Sequence, residues 1–286
     1  MSAFSGLSKG EFVHGFSMMQ GRLTPPLDGE QQYFPHDTWR SEFAVAKEIG
    51  FSGIEWLVDV GSVRDNPLFV SDDRETVRGL QAESGILITS VDADCFKEGP
   101  IDSHSFGGSS FAELFGAVAV AAGEVGAHVI VIPLIEGSSI QSSEEIDRLV
   151  PILQGIGDVA ADNRVVVALE TELGHHLLTD LIDKVAHDSV GACVDLGNLA
   201  SLGMAPQKEL IELGQHVRHV HIKDRALNGG NVPLGTGDVH FAACLEAFSE
   251  IGYAGAMTFE TIRGDDPVED ARANLRYMNQ IVGDRR

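Results

Sequence analysis

Cysteine and basic residues are both scarce in this chain. Its 286 residues include three cysteines, Cys95, Cys193 and Cys244, which are odd in number and far apart. This spacing matches neither a disulfide framework nor a CxxC metal motif. Acidic residues outnumber basic residues 43 to 20, which gives a formal net charge of -23. That charge repels phosphate backbones and anionic membranes, so nucleic-acid and membrane partners are disfavoured.

Long apolar runs and low-complexity segments are also missing. No run approaches the roughly 18 residues that a membrane helix needs, and the first 14 residues lack the basic-then-apolar order of a signal peptide. We therefore expect a soluble, reduced, cytoplasmic protein. The absence of linkers and charge blocks indicates a single domain over residues 1–286, with residues 1–14 as a flexible tail.

A short apolar run recurs eight times, and each run is followed by a segment with helical signals. Glycines fall just past several of these segments, at Gly50, Gly85, Gly126 and Gly252, as is common where helices end. Eight strands alternating with eight helices predict an α/β fold, a (β/α)8 TIM barrel. An open doubly wound sheet is the alternative if one strand fails, and the first strand is the weakest. The runs are Phe16–Gly21, Gly53–Val58, Ile86–Asp92, Val129–Ile135, Val165–Glu170, Gly191–Asp195, His219–Lys223 and Ala256–Glu260.

The seventh run carries polar side chains on one face. Because side chains alternate along a strand, His219, His221 and Lys223 share a face, and Val220 and Ile222 share the other. Burying two histidines and a lysine is unfavourable unless each finds a partner, and a ligand-bearing cavity would supply such partners. An edge strand with one solvated face is the alternative.

Acidic residues end three of the last four runs. Active sites of (β/α)8 barrels lie at the carboxyl ends of the strands, where this chain has Glu170, Asp195, His221 and Glu260. Two carboxylates about 4 Å apart repel by roughly 4 kcal/mol at an effective dielectric constant of 20. A divalent cation would remove this repulsion, and three oxygen ligands with one imidazole suit Mn²⁺, Mg²⁺ or Co²⁺, with Zn²⁺ also compatible. Alternatively, each acid caps the next helix or pairs with a lysine.

Five short motifs in a fixed order carry a family resemblance. They are Leu169-Glu170-Thr171-Glu172, Val194-Asp195-Leu196-Gly197-Asn198, His221-Ile222-Lys223-Asp224, Gly235-Thr236-Gly237 and Gly252-Tyr253-Ala254-Gly255. Their order and spacing resemble the xylose-isomerase-like TIM-barrel sugar phosphate isomerases and epimerases. That family includes ketose 3-epimerases, hydroxypyruvate isomerase and inosose dehydratase, with endonuclease IV as a distant relative. The resemblance covers most of the chain from residue 15 onward.

The resemblance implies that Glu170, Asp195, His221 and Glu260 bind a divalent metal ion. It also implies that Glu170 and Glu260 are the catalytic residues that exchange a proton. Elementary chemistry agrees, because moving a proton beside a carbonyl needs a cation at the enediolate oxygen and a carboxylate on each face of the substrate. Many ketose epimerases have a histidine where this chain has Asn198. An amide can hydrogen-bond a substrate hydroxyl but cannot shuttle a proton near neutral pH, so we do not expect a histidine-dependent mechanism.

Six residues near the predicted strand ends are candidates for substrate binding. Lys223 shares the inward parity of His221, and Arg225 offers a planar fork for a carboxylate, phosphate or hydroxyl. A solvated arginine or a capping carboxylate is the plainer explanation for Arg225 and for Glu55. The six residues are Asn198, Arg225, Lys223, Glu55, His176 and Arg22.

These features predict a divalent-metal-dependent isomerase or epimerase of a small sugar, keto-sugar or sugar phosphate, acting through a metal-stabilised enediolate. The same site would serve a metal-dependent dehydratase or lyase of a keto-sugar or cyclitol. Phosphodiester cleavage like that of endonuclease IV needs several zinc ions and a basic DNA-binding face, which the negative charge opposes. A non-catalytic binding protein is the last alternative. The expected partner is a small-molecule sugar or sugar phosphate, and a homo-oligomer is compatible with the sequence.

Overall fold

The computed structural model describes residues 15–27 and 31–283, so the predicted tail at residues 1–14 lies outside the described residues. Eight parallel strands close into a barrel in the order β1-β10-β7-β6-β5-β4-β3-β2. The prediction of a (β/α)8 barrel is confirmed. The barrel strands are β1 (Phe16–Met19), β2 (Gly53–Leu57), β3 (Leu87–Asp92), β4 (Val129–Leu134), β5 (Val166–Thr171), β6 (Val190–Asp195), β7 (Val217–Ile222) and β10 (Met257–Phe259).

Nine α-helices are present in the described part of the chain, and most connect one barrel strand to the next. The sequence did not predict α6, nor the short antiparallel hairpin of β8 (Asp224–Arg225) and β9 (Asn231–Val232). Gly50, Gly85, Gly126 and Gly252 do end helices, with φ between 67° and 108°. The helices are α1 (Trp39–Ile49), α2 (Ser71–Ser84), α3 (Phe111–Val125), α4 (Ser143–Asp162), α5 (His175–Val185), α6 (Leu196–Ser201), α7 (Pro206–Leu213), α8 (Phe241–Ile251) and α9 (Pro267–Gly283).

Strand parity divides the apolar core into two layers. Leu169, Val194 and Val220 belong to the large cluster that includes the buried faces of the helices. Ala168 and Cys193 alternate with these outward residues and form a small separate cluster inside the barrel with Val131. These strands therefore pack apolar side chains on both faces. The next inward-facing residues, two positions further along each strand, lie at the mouth of the barrel.

The cysteines and helices agree with the expectations from composition. Cys95, Cys193 and Cys244 are all free and buried, as the odd and dispersed set predicted. Among the described helices, none combines the length and apolar character that crossing a bilayer requires.

Candidate metal and active site

Four side chains from neighbouring strands meet at the carboxyl-terminal mouth of the barrel. Glu170 is the next-to-last residue of β5, Asp195 ends β6, His221 lies on β7, and Glu260 directly follows β10. One ligand-type atom of each lies within 4.8 Å of the others. The Nδ1 atom of His221 is 3.3 Å from Glu260 Oε2, 3.9 Å from Asp195 Oδ2 and 4.0 Å from Glu170 Oε2. We call these four residues the mouth cluster, and it is the set that the strand ends predict.

A second group of polar side chains lies behind His221, inside the barrel. Glu55 on β2 reaches across the lumen, with Oε1 2.9 Å from His221 Nε2 and Oε2 2.5 Å from His219 Nε2. Ser90 donates its hydroxyl to Glu55 Oε2 at 2.6 Å. We call Glu55, His219 and Ser90 the rear group, and all three are buried. Burial alone would raise the pKa of Glu55, but His219 and His221 hold it below its ordinary value.

The rear group determines how His221 presents its ring. A carboxylate opposite Nε2 favours the tautomer that carries its proton there, assigned from the hydrogen-bond geometry. In the neutral imidazole, the Nδ1 lone pair then faces the mouth cluster. This arrangement is typical of a histidine that binds a metal ion through one nitrogen and donates a hydrogen bond through the other.

Lys223 lies one residue beyond β7 and bridges two acids of the mouth cluster. Its Nζ is 2.8 Å from both Asp195 Oδ2 and Glu260 Oε2. Gly197 makes this approach possible, because a Cβ at that position would lie only 2.9 Å from Lys223 Cγ. The inward orientation predicted for Lys223 is therefore what the structure shows, with a carboxylate on each side of the ammonium group.

The acids of the mouth cluster differ in their electrostatic environment. Burial, with the nearby charges of Asp195 and Glu260, raises the pKa of Glu170 to about 7. Burial also disfavours the ionised form of Glu260, yet Lys223 and His221 hold its pKa well below the usual range. In the protein alone, Glu260 is thus held ionised, and Glu170 can exchange a proton near neutral pH.

Asp195 and Asn198 connect the mouth cluster to the start of α6. Asp195 is the N-cap of this helix, and its Oδ1 accepts the backbone N–H of Asn198 at 2.8 Å. The side-chain amide of Asn198 donates to Glu170 Oε1 at 2.9 Å and accepts from Arg225 Nη1 at 2.8 Å. Asn198 and Arg225, which the sequence predicts to bind substrate, therefore lie next to the mouth cluster, where they contact Glu170 and each other.

Arg22 lies at the opposite side of the mouth, just after β1. Its Nη2 donates to Gln32 Oε1 at 2.5 Å and to Glu260 Oε1 at 3.4 Å, and Gln32 Nε2 donates to Asp92 Oδ2 at 3.3 Å. Arg22 is only 3% exposed, and its Nε and Nη1 have no hydrogen-bond partner in the described structure. Oδ1 of Asp92 is likewise buried without a partner. Among the described residues, this wall of the mouth thus holds buried donors and a buried acceptor that have no hydrogen-bond partner.

Two predicted substrate contacts have other surroundings. Glu55 is fully buried, and its oxygens face the two histidines and Ser90. His176 is exposed on α5 and packs against His175 with ring centroids 4.0 Å apart and the ring planes tilted by 47°, so it is not part of the mouth cluster. Sequence reasoning assigned no role to Ser90 or Gln32. Ser90 could have been identified because it lies two residues before Asp92 on β3, so both side chains point to the same face of the strand.

The mouth cluster fits a divalent cation. Metal–ligand bonds of about 2.0–2.5 Å place ligand atoms up to about twice that distance apart, and the four ligand atoms lie within 4.8 Å of one another. Glu55, His219 and His221 also lie within 4.8 Å of one another, but their contacts are already at hydrogen-bond distances. The donor set of three carboxylates and one imidazole is therefore the better metal site.

Comparisons with known proteins agree with this fold. A curated L-ribulose-5-phosphate 3-epimerase from Salmonella typhi is 28% identical over 235 residues, covering 78% of this chain and 82% of the relative. A xylose isomerase domain protein from Planctomyces limnophilus superposes with a TM-score of 0.74 at 21% identity, over 95% of this chain and 96% of that one. A xylose isomerase-like TIM-barrel protein from Mycobacterium smegmatis, solved in complex with magnesium, has a TM-score of 0.71 at 20% identity, covering 93% and 96% of the two chains. The family model for xylose isomerase-like TIM barrels matches residues 43–281, and the chain belongs to that family.

Proposed function

We propose that this protein is a divalent-metal-dependent isomerase or epimerase of a small sugar, keto-sugar or sugar phosphate. The observation that carries the proposal is the mouth cluster, in which three carboxylates surround one nitrogen of a histidine. The similarity to an L-ribulose-5-phosphate 3-epimerase over 235 residues supports the reaction class. The magnesium complex of a structural relative supports a divalent cation without identifying which one.

In this proposal the mouth cluster holds the cation, and the rear group fixes the ring of His221. A bound cation would polarise the substrate carbonyl and offset the charge of the enediolate. Glu55 acts indirectly, because its contact with Nε2 keeps Nδ1 directed at the mouth. Which cation is bound in the cell depends on supply as well as ligand type, so Mn²⁺, Mg²⁺, Co²⁺ and Zn²⁺ all remain candidates.

Glu170 and Glu260 are the proposed pair that removes and returns the proton. β6 and β7 lie between β5 and β10 in the barrel, so the two carboxylates approach the mouth from separate strands on either side of His221. The protein alone pushes their pKa values in opposite directions, which suits a pair that starts with one acid and one base. Arg22 and Asp92 are placed to hold substrate hydroxyls, since a hydroxyl can accept from one and donate to the other.

The test is a substrate panel followed by proton NMR in deuterated water. The protein is incubated with free and phosphorylated ketoses. It is loaded with Mn²⁺ when activity is assayed and with Mg²⁺ when NMR spectra are recorded. The proposal predicts exchange of a C–H next to the carbonyl together with an epimer or isomer. A metal-stripped sample and Glu260→Gln serve as controls. Loss of water from the substrate, or turnover only of abasic duplex DNA, would contradict the proposal.

A further inference from the structure

Asn198 contacts two acids of the mouth cluster at once. Its backbone N–H donates to Asp195 Oδ1 at 2.8 Å, and its side-chain Nδ2 donates to Glu170 Oε1 at 2.9 Å. These bonds occupy the oxygens that point away from the cluster centre. The other oxygens, Asp195 Oδ2 and Glu170 Oε2, are the ones found 3.9 and 4.0 Å from His221 Nδ1. Asn198, at the start of α6, therefore binds the outer oxygen of each carboxylate and leaves the inner oxygen facing His221.

Arg225 fixes which way the Asn198 amide points. The guanidinium donates from Nη1 to Asn198 Oδ1 at 2.8 Å. A guanidinium can only donate, and an ionised carboxylate can only accept, so one amide orientation satisfies both Arg225 and Glu170. The Nε and Nη2 atoms of Arg225 donate to Gly229 O at 3.1 and 2.8 Å. The position of the guanidinium is therefore set by the turn between β8 and β9.

We propose that Asn198 and Arg225 are positioning residues that hold Glu170 so that Oε2 alone faces the cation. This inference rests on the proposed metal site. Every polar side-chain atom of both residues already has a partner: Gly229, Asn198 or Arg225, and Glu170. A substrate hydroxyl would have to compete with these bonds. The hairpin turn, Arg225, Asn198 and Glu170 thus form one continuous chain of hydrogen bonds from a surface loop to the mouth cluster.

Asn198→Asp is the sharpest variant, because it changes one donor into an acceptor at constant size. The new carboxylate keeps its contact with Arg225 and leaves the backbone bond to Asp195 in place. It loses the bond to Glu170 and repels it instead. Asn228→Asp is the matched control, since Asn228 is exposed in the same hairpin and the change adds the same charge. Arg225→Lys tests the second link, because a lysine keeps the charge but cannot span Asn198 and Gly229 together.

The first measurement is calorimetric titration of metal-stripped protein with Mn²⁺. We expect Asn198→Asp to weaken the affinity about 10-fold to 100-fold, as is typical for groups that orient metal ligands, with a smaller loss for Arg225→Lys. Asn228→Asp should bind like the unmodified protein. With a turned-over ketose at saturating Mn²⁺, Asn198→Asp should lower kcat and leave KM unchanged. A raised KM with unchanged Mn²⁺ affinity would show substrate binding instead and overturn the proposal.

A crystal structure of metal-free Asn198→Asp gives a readout that needs neither metal nor substrate. We expect the Glu170 carboxylate to leave its present orientation, while the main chain of β5 and α6 is unchanged. An unmoved Glu170 would overturn the positioning role. Absence of Mn²⁺ binding in the unmodified protein would instead contradict the proposed function, and the orientation of Glu170 would still decide this inference.

Discussion

His221 has one group of ionisable side chains in front of it and another behind it, and the two groups differ in charge balance. Behind the ring, the single carboxylate of Glu55 meets two histidines and a serine hydroxyl. In front, three carboxylates lie within 4.0 Å of Nδ1. Both groups are buried, so burial alone does not separate them. They differ because the Glu55 carboxylate behind the ring is paired with two histidines and a serine hydroxyl, whereas the carboxylates in front outnumber the cations that contact them.

The imbalance in front of His221 explains why that side suits a metal ion. With His221 neutral, as a metal ligand must be, Lys223 and Arg22 are the cations among the described residues that contact the mouth cluster, which leaves one negative charge when all three acids are ionised. The protein alone can relieve this excess by protonating Glu170, whose pKa is raised to about 7 by burial and by its acidic neighbours. A divalent cation would offset the excess negative charge without protonation of Glu170. The mouth cluster in front of His221 is therefore suited to binding a cation, and the rear group is suited to holding the imidazole ring.

The largest effect should come from the two glutamates of the mouth cluster. At saturating metal, Glu170→Gln and Glu260→Gln should each lower turnover about 100-fold to 10,000-fold, because an amide cannot exchange the proton. Asp195→Asn is the matched variant, since only ligation is assigned to Asp195, and excess metal should restore part of its activity. Turnover and hydrogen–deuterium exchange measure all three. Substantial activity in both glutamate variants would shift the catalytic assignment to Lys223 or Glu172.

The next effect concerns the stability provided by the rear group. Glu55→Gln removes the charge that His219 and His221 face, and breaking a buried pair typically costs about 3–5 kcal/mol. We expect the free energy of unfolding in urea to fall by that order in the metal-free protein. Ser90→Ala, which removes one hydrogen bond to the same carboxylate, should cost only about 1 kcal/mol. Equal, small losses for both variants would show that the rear group does not depend on the charge of Glu55.

Glu42 shows what burial does to a carboxylate outside both groups. Burial raises its pKa to about 7, although Gly21 and Thr24 donate hydrogen bonds to it. A carboxyl group with a raised folded pKa contributes stability at low pH and loses it as the pH rises toward 7. Relative to Glu42→Gln, the unmodified protein should therefore lose about 2–3 kcal/mol of unfolding free energy between pH 5 and pH 8. Urea unfolding at both pH values measures this, and a pH-independent difference would contradict it.

The smallest expected change in unfolding free energy is an increase, opposite in sign to the decrease expected for Glu55→Gln. In metal-free protein at pH 8, Glu170→Gln removes one of three like charges and should raise the unfolding free energy by about 1 kcal/mol. This is the repulsion of two unit charges about 4 Å apart in bulk water, and it is a minimum because Glu170 is buried. The same Glu-to-Gln change thus tests both sides of His221. Destabilisation by both substitutions would remove the distinction between front and rear.

The barrel and its strand ends could be predicted from the sequence because both depend on local patterns. Eight apolar runs with polar ends are visible in the chain, and a closed parallel barrel brings those ends to one mouth. Glu170, Asp195, His221 and Glu260 could therefore be grouped before any coordinates. The grouping needed only the order of the strands and the residue that ends each one.

The surroundings of these four residues could not be predicted in the same way. Parity gives the face of a strand, but not whether Glu55 lies in front of His221 or behind it. That depends on how deeply β2 sits relative to β7 across the lumen. The bonds from Arg225 to Asn198 and Gly229 depend on a two-residue strand pair and a six-residue helix, both too short to show a periodic pattern. Gln32 was missed because it lies on a loop without periodicity.

The most direct test of the central claim is a titration of metal-stripped protein with Mn²⁺, followed by electron paramagnetic resonance or calorimetry. The mouth cluster predicts one saturable site per chain, with affinity strongly reduced in Asp195→Asn and in His221→Gln. Glu42→Gln, which is buried but outside the cluster, should bind like the unmodified protein. Saturable binding of one ion that neither Asp195→Asn nor His221→Gln weakens, or no saturable binding at all, would contradict the account.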